Sequence, residues 1–158
     1  MHLARTIHFD ESDTLVYHRH ARTGEWAISG GFEFSNWSQA DLAGKARQAF
    51  ANGWLGLETF GRATLVAVTR IEPAELERLT EGLAQHFMQV YGAPGLEAAR
   101  TVAAEEIAHM AELCDEQDAN TLLTVERELT DGGVRERFRA IKGDEAALEQ
   151  FAIHATDE

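Results

Sequence analysis

The chain has 158 residues, and its 27 Asp and Glu against 14 Lys and Arg give a formal net charge of −13. That balance repels a phosphate backbone and excludes sequence-independent nucleic-acid binding. A single cysteine excludes an internal disulfide framework and a zinc ribbon, and apolar runs of only a few residues exclude a membrane-spanning helix.

The length suits one domain over residues 1–158, with 152–158 as a frayed tail. The opening MHLARTIHFDESD lacks the apolar stretch and small-residue cleavage site of a secretion signal, so a cytoplasmic protein is expected. Leu3–Phe9 and Thr14–His20 read as strands joined by the polar turn Asp10–Asp13. His18 and His20 would then share one strand face, a geometry metal sites use, but no third ligand accompanies them. Glu25–Ser35 alternates, with Trp26, Ile28, Phe32 and Phe34 on one face, and Gly30-Gly31 marks a bend, a bulge or a close backbone approach.

Ser38 is an N-cap for a helix running to the Asn52-Gly53 stop, with Leu42, Ala46, Ala49 and Phe50 on its buried side. The glycine-spaced segment from Trp54 to Gly61 either packs under the sheet or lines a sheet–helix pocket with Trp26, Trp54 and Phe60 around it. Ala63–Ile71 is apolar on both faces, as in a strand covered on both sides.

Pro73–Tyr91 and Gly95–Asp115 then form a helical hairpin around Gly92-Ala93-Pro94-Gly95. On the second helix, Leu96, Ala99, Ala103, Ile107, Met110 and Cys114 make the apolar stripe. Glu106 falls about 60° from its centre and His109 about 120°. Residues three apart on a helix are neighbours, so Glu106 and His109 can share a hydrogen bond or a divalent metal, with Glu105 or Glu112 as further ligands. Carboxylate-bridged di-iron bundles need this Glu-x-x-His pattern twice, and it occurs here once. The competing reading is an ion pair with Arg78, which the hairpin brings opposite Glu106. Cys114, on the stripe, reads as an inert buried thiol.

Asn120–Thr130 and Gly133–Ile141 flank Asp131-Gly132, a type I′ hairpin signal. With a two-residue loop, Glu128 faces Arg135, Arg127 faces Glu136 and Glu126 faces Arg137, while Val125 faces Phe138 and Leu129 faces Val134. Charge and apolar pairing agree on this register, so the Arg135, Arg137 and Arg139 stripe reads as neutralised rather than as an anion site. Asp144–Ala155 closes the chain as a short helix. There is no phosphate-binding glycine loop, no Gly-x-Ser-x-Gly elbow and no His-Glu-x-x-His, so no catalytic residue is assigned and an enzyme is not the leading expectation.

The blocks LARTIHFDESD, GEWAISGGFEF, GKARQAFANGWLGLETFGRATLVAV and TLLTVERELTDGGVRERFRAI together resemble an uncharacterised family of small acidic proteins, mainly of proteobacteria. The resemblance covers nearly the whole chain. It transfers no activity and no catalytic residue, and it implies an accessory role tied to metalloenzyme maturation.

The expected fold is two-layer α+β, an antiparallel sheet of about six strands with helices on one face, in the order βββαβααββ. Three functions follow. The first is an accessory or interaction protein, a homodimer in one form, with an unspecified protein partner and neither nucleic acid nor membrane as partner. The second is a metal-binding protein or metalloenzyme built on Glu106 and His109. The third is a small-ligand binder with a pocket near Trp26, Trp54 and Phe60.

Overall fold

The computed structural model describes residues 1–8 and 12–141 of the chain. Among them are seven strands: β1 (His2–Ile7), β2 (Trp26–Ile28), β3 (Trp54–Gly56), β4 (Arg62–Ala63), β5 (Leu65–Arg70), β6 (Leu122–Thr130) and β7 (Gly133–Ile141). They pair antiparallel into one sheet in the order β4-β3-β2-β1-β5-β6-β7. Four helices accompany them: α1 (Ser12–Val16), α2 (Gly44–Asn52), α3 (Pro73–Tyr91) and α4 (Leu96–Asp115). The α+β class expected from the sequence is the class found. No helix of the described residues is long and apolar enough to cross a membrane. The expected terminal helix Asp144–Ala155, the 152–158 tail and the Asp10-Glu11 turn lie outside the described residues.

The element order departs from expectation in three places. Thr14–His20 is not a strand. Ser12–Val16 is a helical turn, Tyr17 is buried with its hydroxyl 2.8 Å from that of Thr64, and only His20 bridges to the sheet, at Arg62. The Ser-Asp pair that signalled a turn is equally a helix start. Second, the strand from Glu25 stops at Ile28, because Gly30 takes a left-handed φ of 70° and Gly31–Phe34 coils into a 3₁₀ turn. Third, the expected helix from Ser38 is split. Ser38 and Asp41 form a capping box on the 3₁₀ turn Gln39–Asp41, and α2 begins anew at Gly44, whose φ is 56°. Phe50 is the fully buried residue of α2, while Leu42, Ala46 and Ala49 are half-buried or at its edge. The glycine-spaced connection of the sequence supplies β3 and β4 at the sheet edge.

The helical hairpin forms as its sequence dictates. Pro73 starts α3, and Gly92, with φ of 65°, ends it while Ala93 donates back to Phe87 O at 3.2 Å. Leu79, Leu83 and Phe87 face the core, whereas Val90 is exposed. On α4 the expected stripe is buried at Ala99, Ala103, Ile107, Met110 and Cys114. This helix lies against β1 and β2, with α3 packed on it. Arg100 donates two hydrogen bonds to Glu81 across the hairpin, at 2.8 and 2.9 Å.

The β6–β7 hairpin has the register read from the sequence, including Glu128↔Arg135, Arg127↔Glu136 and Val125↔Phe138. Its turn is not type I′. That type needs positive φ at both loop residues, and here the positive φ, 119°, falls on Gly133. Only Leu122 and Leu123 pair with β5, so the hairpin overhangs the sheet and leans on α2, where Asn52 Nδ2 donates to Val125 O at 3.1 Å. The sheet curls until Trp54 of β3 stacks on Phe138 of β7, with ring centroids 5.7 Å apart.

Candidate functional site at the cleft between helix α4 and strand β7

The curl leaves a cleft of about 390 Å³ between the C-terminal half of α4, the turn after β2 and the first part of β7. Phe32, Met110, Leu113, Val134 and Phe138 form its apolar lining, and Ser29, Glu106, His109 and Glu136 its polar lining. Gly30-Gly31 makes the cleft wall thin. A Cβ on Gly30 would stand 2.5 Å from Leu55 Cβ, and one on Gly31 would stand 2.6 Å from Glu136 Oε2.

Glu106 and His109 are therefore together, as their helical spacing required. Glu105 and Glu112 are exposed and outside the cleft lining. Among the described residues no three His, Cys, Asp or Glu side chains gather as they would need to hold a metal ion. The expected partner of Glu106 is a correction. Arg78 donates to Glu75 on its own helix at 2.6 Å and is exposed, so it does not reach Glu106. Three residues along the same helix outcompetes a neighbour across the hairpin. Glu106 has no ion-pair or hydrogen-bond partner among the described residues. Burial pushes its carboxyl above the usual carboxylate range. His109 opposes that rise, and Glu136 and Glu105 add to it.

The sign of that shift sets a stability prediction. The folded state holds the Glu106 proton more tightly than the unfolded state, so the penalty of the charged form is fully present above the folded pKa and fades as pH falls through it. Glu106→Gln is expected to raise stability near neutral pH, by an amount that solvent screening keeps small, and to change nothing in acid. Urea unfolding of both proteins across pH measures this, and a destabilised variant at neutral pH would refute the assignment.

Glu136 is held differently. It accepts from Arg127 Nε at 2.7 Å and from the Ser29 hydroxyl in a short hydrogen bond. Arg127 faces Glu136 as the sequence register required, but it is buried, and that burial is what sequence reasoning missed. Its Nη1 donates to Phe50 O at 3.0 Å and Gly53 O at 2.8 Å, and its Nη2 to Ser29 O at 2.5 Å. Arg62 lies beside it, donating to Gly53 O and Gly30 O, both at 3.0 Å, and to Glu33 at 2.5 Å. The two guanidinium carbons stand 4.6 and 5.2 Å from the centre of the Phe34 ring. Burial lowers both arginines, Arg62 to about 10, and both stay charged at neutral pH. They cap the carbonyl end of α2, where the helix dipole favours cations, and fix the Ser29–Gly30 wall of the cleft. The available signal was parity: Arg127 sits in phase with the buried Leu123 and Val125 of β6.

The other expected site residues are placed apart. Trp26 is buried under the Arg5 guanidinium, 4.1 Å from its ring centre. Trp54 is fully buried, its indole N–H without a hydrogen-bond partner among the described residues. Phe60, at φ 57°, stacks on His86 at 3.8 Å and lines a different groove. His18 and His20 are exposed and not on a strand. Cys114 is fully buried, and burial pushes its thiol up to about 12.

No curated protein and no solved structure matches the chain. A family model does, over residues 1–158, and the chain belongs to that family, a family of unknown function designated DUF6505.

Proposed function

We propose that this chain is a ligand-binding accessory protein whose α4–β7 cleft takes a small, partly apolar molecule carrying one protonated amine. The observation that carries the reading is Glu106, a half-buried carboxylate facing an open cleft with no Lys or Arg beside it and only His109 opposing the effect of its burial. A carboxylate in such a place without a hydrogen bond or ion pair of its own favours a ligand that brings a positive charge. Glu136, already neutralised by Arg127, serves as an orienting acceptor, and the lining has no Lys or Arg that would repel a cation. Phe32, Met110 and Phe138 supply the apolar wall.

Calorimetry with tyramine, with its neutral isostere tyrosol, and with zinc ion alone tests this. Tyramine is expected to bind at least about tenfold tighter than tyrosol. Its affinity should fall as pH drops through the raised Glu106 pKa, and Glu106→Gln should abolish the preference. Equal affinity for the two phenols overturns the reading. Stoichiometric zinc lost in the Glu106→Gln/His109→Ala double variant replaces it with a metal site.

A further inference from the structure

On the other side of the Gly31–Phe34 turn lies a second groove, of about 390 Å³, which no part of the preceding reading uses. Its character is opposite to that of the α4–β7 cleft. Arg19, Lys45 and the buried Arg62 line it, against one carboxylate, Glu33. Glu33 is consumed internally, accepting from Arg62 at 2.5 Å and from the Tyr91 hydroxyl in a short hydrogen bond. Arg19 and Lys45 are exposed and have no ion pair among the described residues. In a chain of net charge −13, this is a local reversal of sign.

The groove also presents flat, preset aromatic surface. Trp37 lies near parallel to Phe50, at 16° with centroids 6.3 Å apart, and meets Phe34 edge-on at 4.7 Å. Phe60 is held face to face by His86 at 3.8 Å. Tyr91 is fixed by its hydrogen bond to Glu33 and by edge contact with Phe32 at 5.9 Å. Rigid rings beside uncommitted cations suit a planar ring that carries an anionic group.

We infer that this groove binds a small aromatic anion, its ring against Trp37 and Phe60 and its carboxylate or phosphate between Arg19 and Lys45. The ligand class is a planar ring joined to one anionic group, with a nucleoside monophosphate and an aromatic carboxylate as its two sources. Calorimetry on the full chain with adenosine monophosphate, 4-hydroxybenzoate, adenosine and inorganic phosphate separates them. At least one of the two ring-bearing anions is expected to saturate at a Kd of about 1 mM or tighter. Adenosine and phosphate alone should bind at least about tenfold more weakly, because each offers half of the recognition.

The exposed pair is the safe place to mutate. Arg19→Ala/Lys45→Ala should lower affinity at least about tenfold, and Trp37→Leu similarly, while Arg137→Ala on the distant hairpin and Glu106→Gln in the other cleft leave it unchanged. Absence of saturation by both anions overturns the inference. So does unchanged binding in the Arg19/Lys45 double variant, or an equal loss in Arg137→Ala, which would mark unspecific attraction.

Discussion

Arg127→Met is expected to lower the unfolding free energy by about 3–5 kcal/mol, with the urea midpoint falling accordingly. The side chain is fully buried, and its donors satisfy Phe50 O, Gly53 O and Ser29 O as well as Glu136. Methionine fills much of the volume but donates nothing. Phe50 O would lose its side-chain donor, and Gly53 O and Ser29 O would keep only Arg62, at 3.0 and 3.3 Å; a buried carbonyl left without a partner costs about 1–3 kcal/mol. Glu136 loses its counter-charge, although its partial exposure on the cleft limits that part of the cost. The contrast is Arg135→Met, two-thirds exposed and 3.5 Å from Glu128 on the other face of the same hairpin. That change is expected to stay within about 0.5 kcal/mol. If Arg127→Met cost less than about 1 kcal/mol, the guanidinium would not be what joins α2 to the hairpin.

The two arginines show where the sequence was legible. The β6–β7 register was readable because two independent patterns, charge and apolarity, selected the same pairing, and a slip of one residue spoils both. The α3–α4 hairpin was readable from Pro73, the Gly92 stop and an unbroken apolar stripe. Strand parity also placed Arg127 among Leu123 and Val125, but charge suggests the surface, and only the carbonyls of a distant helix end explain its burial. Glu106 was placed correctly at the core margin and given the wrong partner, since Arg78 satisfies itself with Glu75 one turn away. The two clefts were not readable. Both depend on the curl of the sheet and on the Gly30–Phe34 turn, which long-range contacts with Arg62, Arg127 and Glu136 hold in place. Trp26, Trp54 and Phe60 were grouped by chemistry alone, and the fold sends two of them into the core.

Glu25 carries the second large effect. It is a fully buried carboxylate that accepts from Arg22 N at 2.6 Å, Glu58 N at 3.0 Å, Thr59 N at 2.8 Å and the Thr59 hydroxyl at 2.8 Å. One side chain thus organises both the 22–25 turn and the loop after β3, much as a bound anion organises a nest of amides. It also explains a glycine in the apolar segment: a Cβ on Gly56 would stand 2.5 Å from Glu25 Oε1. Glu25→Ala removes the acceptor and strands the three amides, so a loss of about 3–4 kcal/mol is expected, with the Glu58 and Thr59 amides exchanging at least about a hundredfold faster. Glu25→Gln keeps one acceptor oxygen for the loop but turns an N–H₂ toward the Arg22 amide, donor against donor. It should cost about 1–2 kcal/mol, since the Thr59 hydroxyl can rotate to accept. This order separates hydrogen bonding from packing, because glutamine preserves the volume that alanine removes. If glutamine were harmless and alanine costly, the carboxylate would act as filler. If exchange at Glu58 and Thr59 stayed slow in the alanine variant, the loop would hold its shape without Glu25, and Phe60 would owe its place on His86 to the stacking alone.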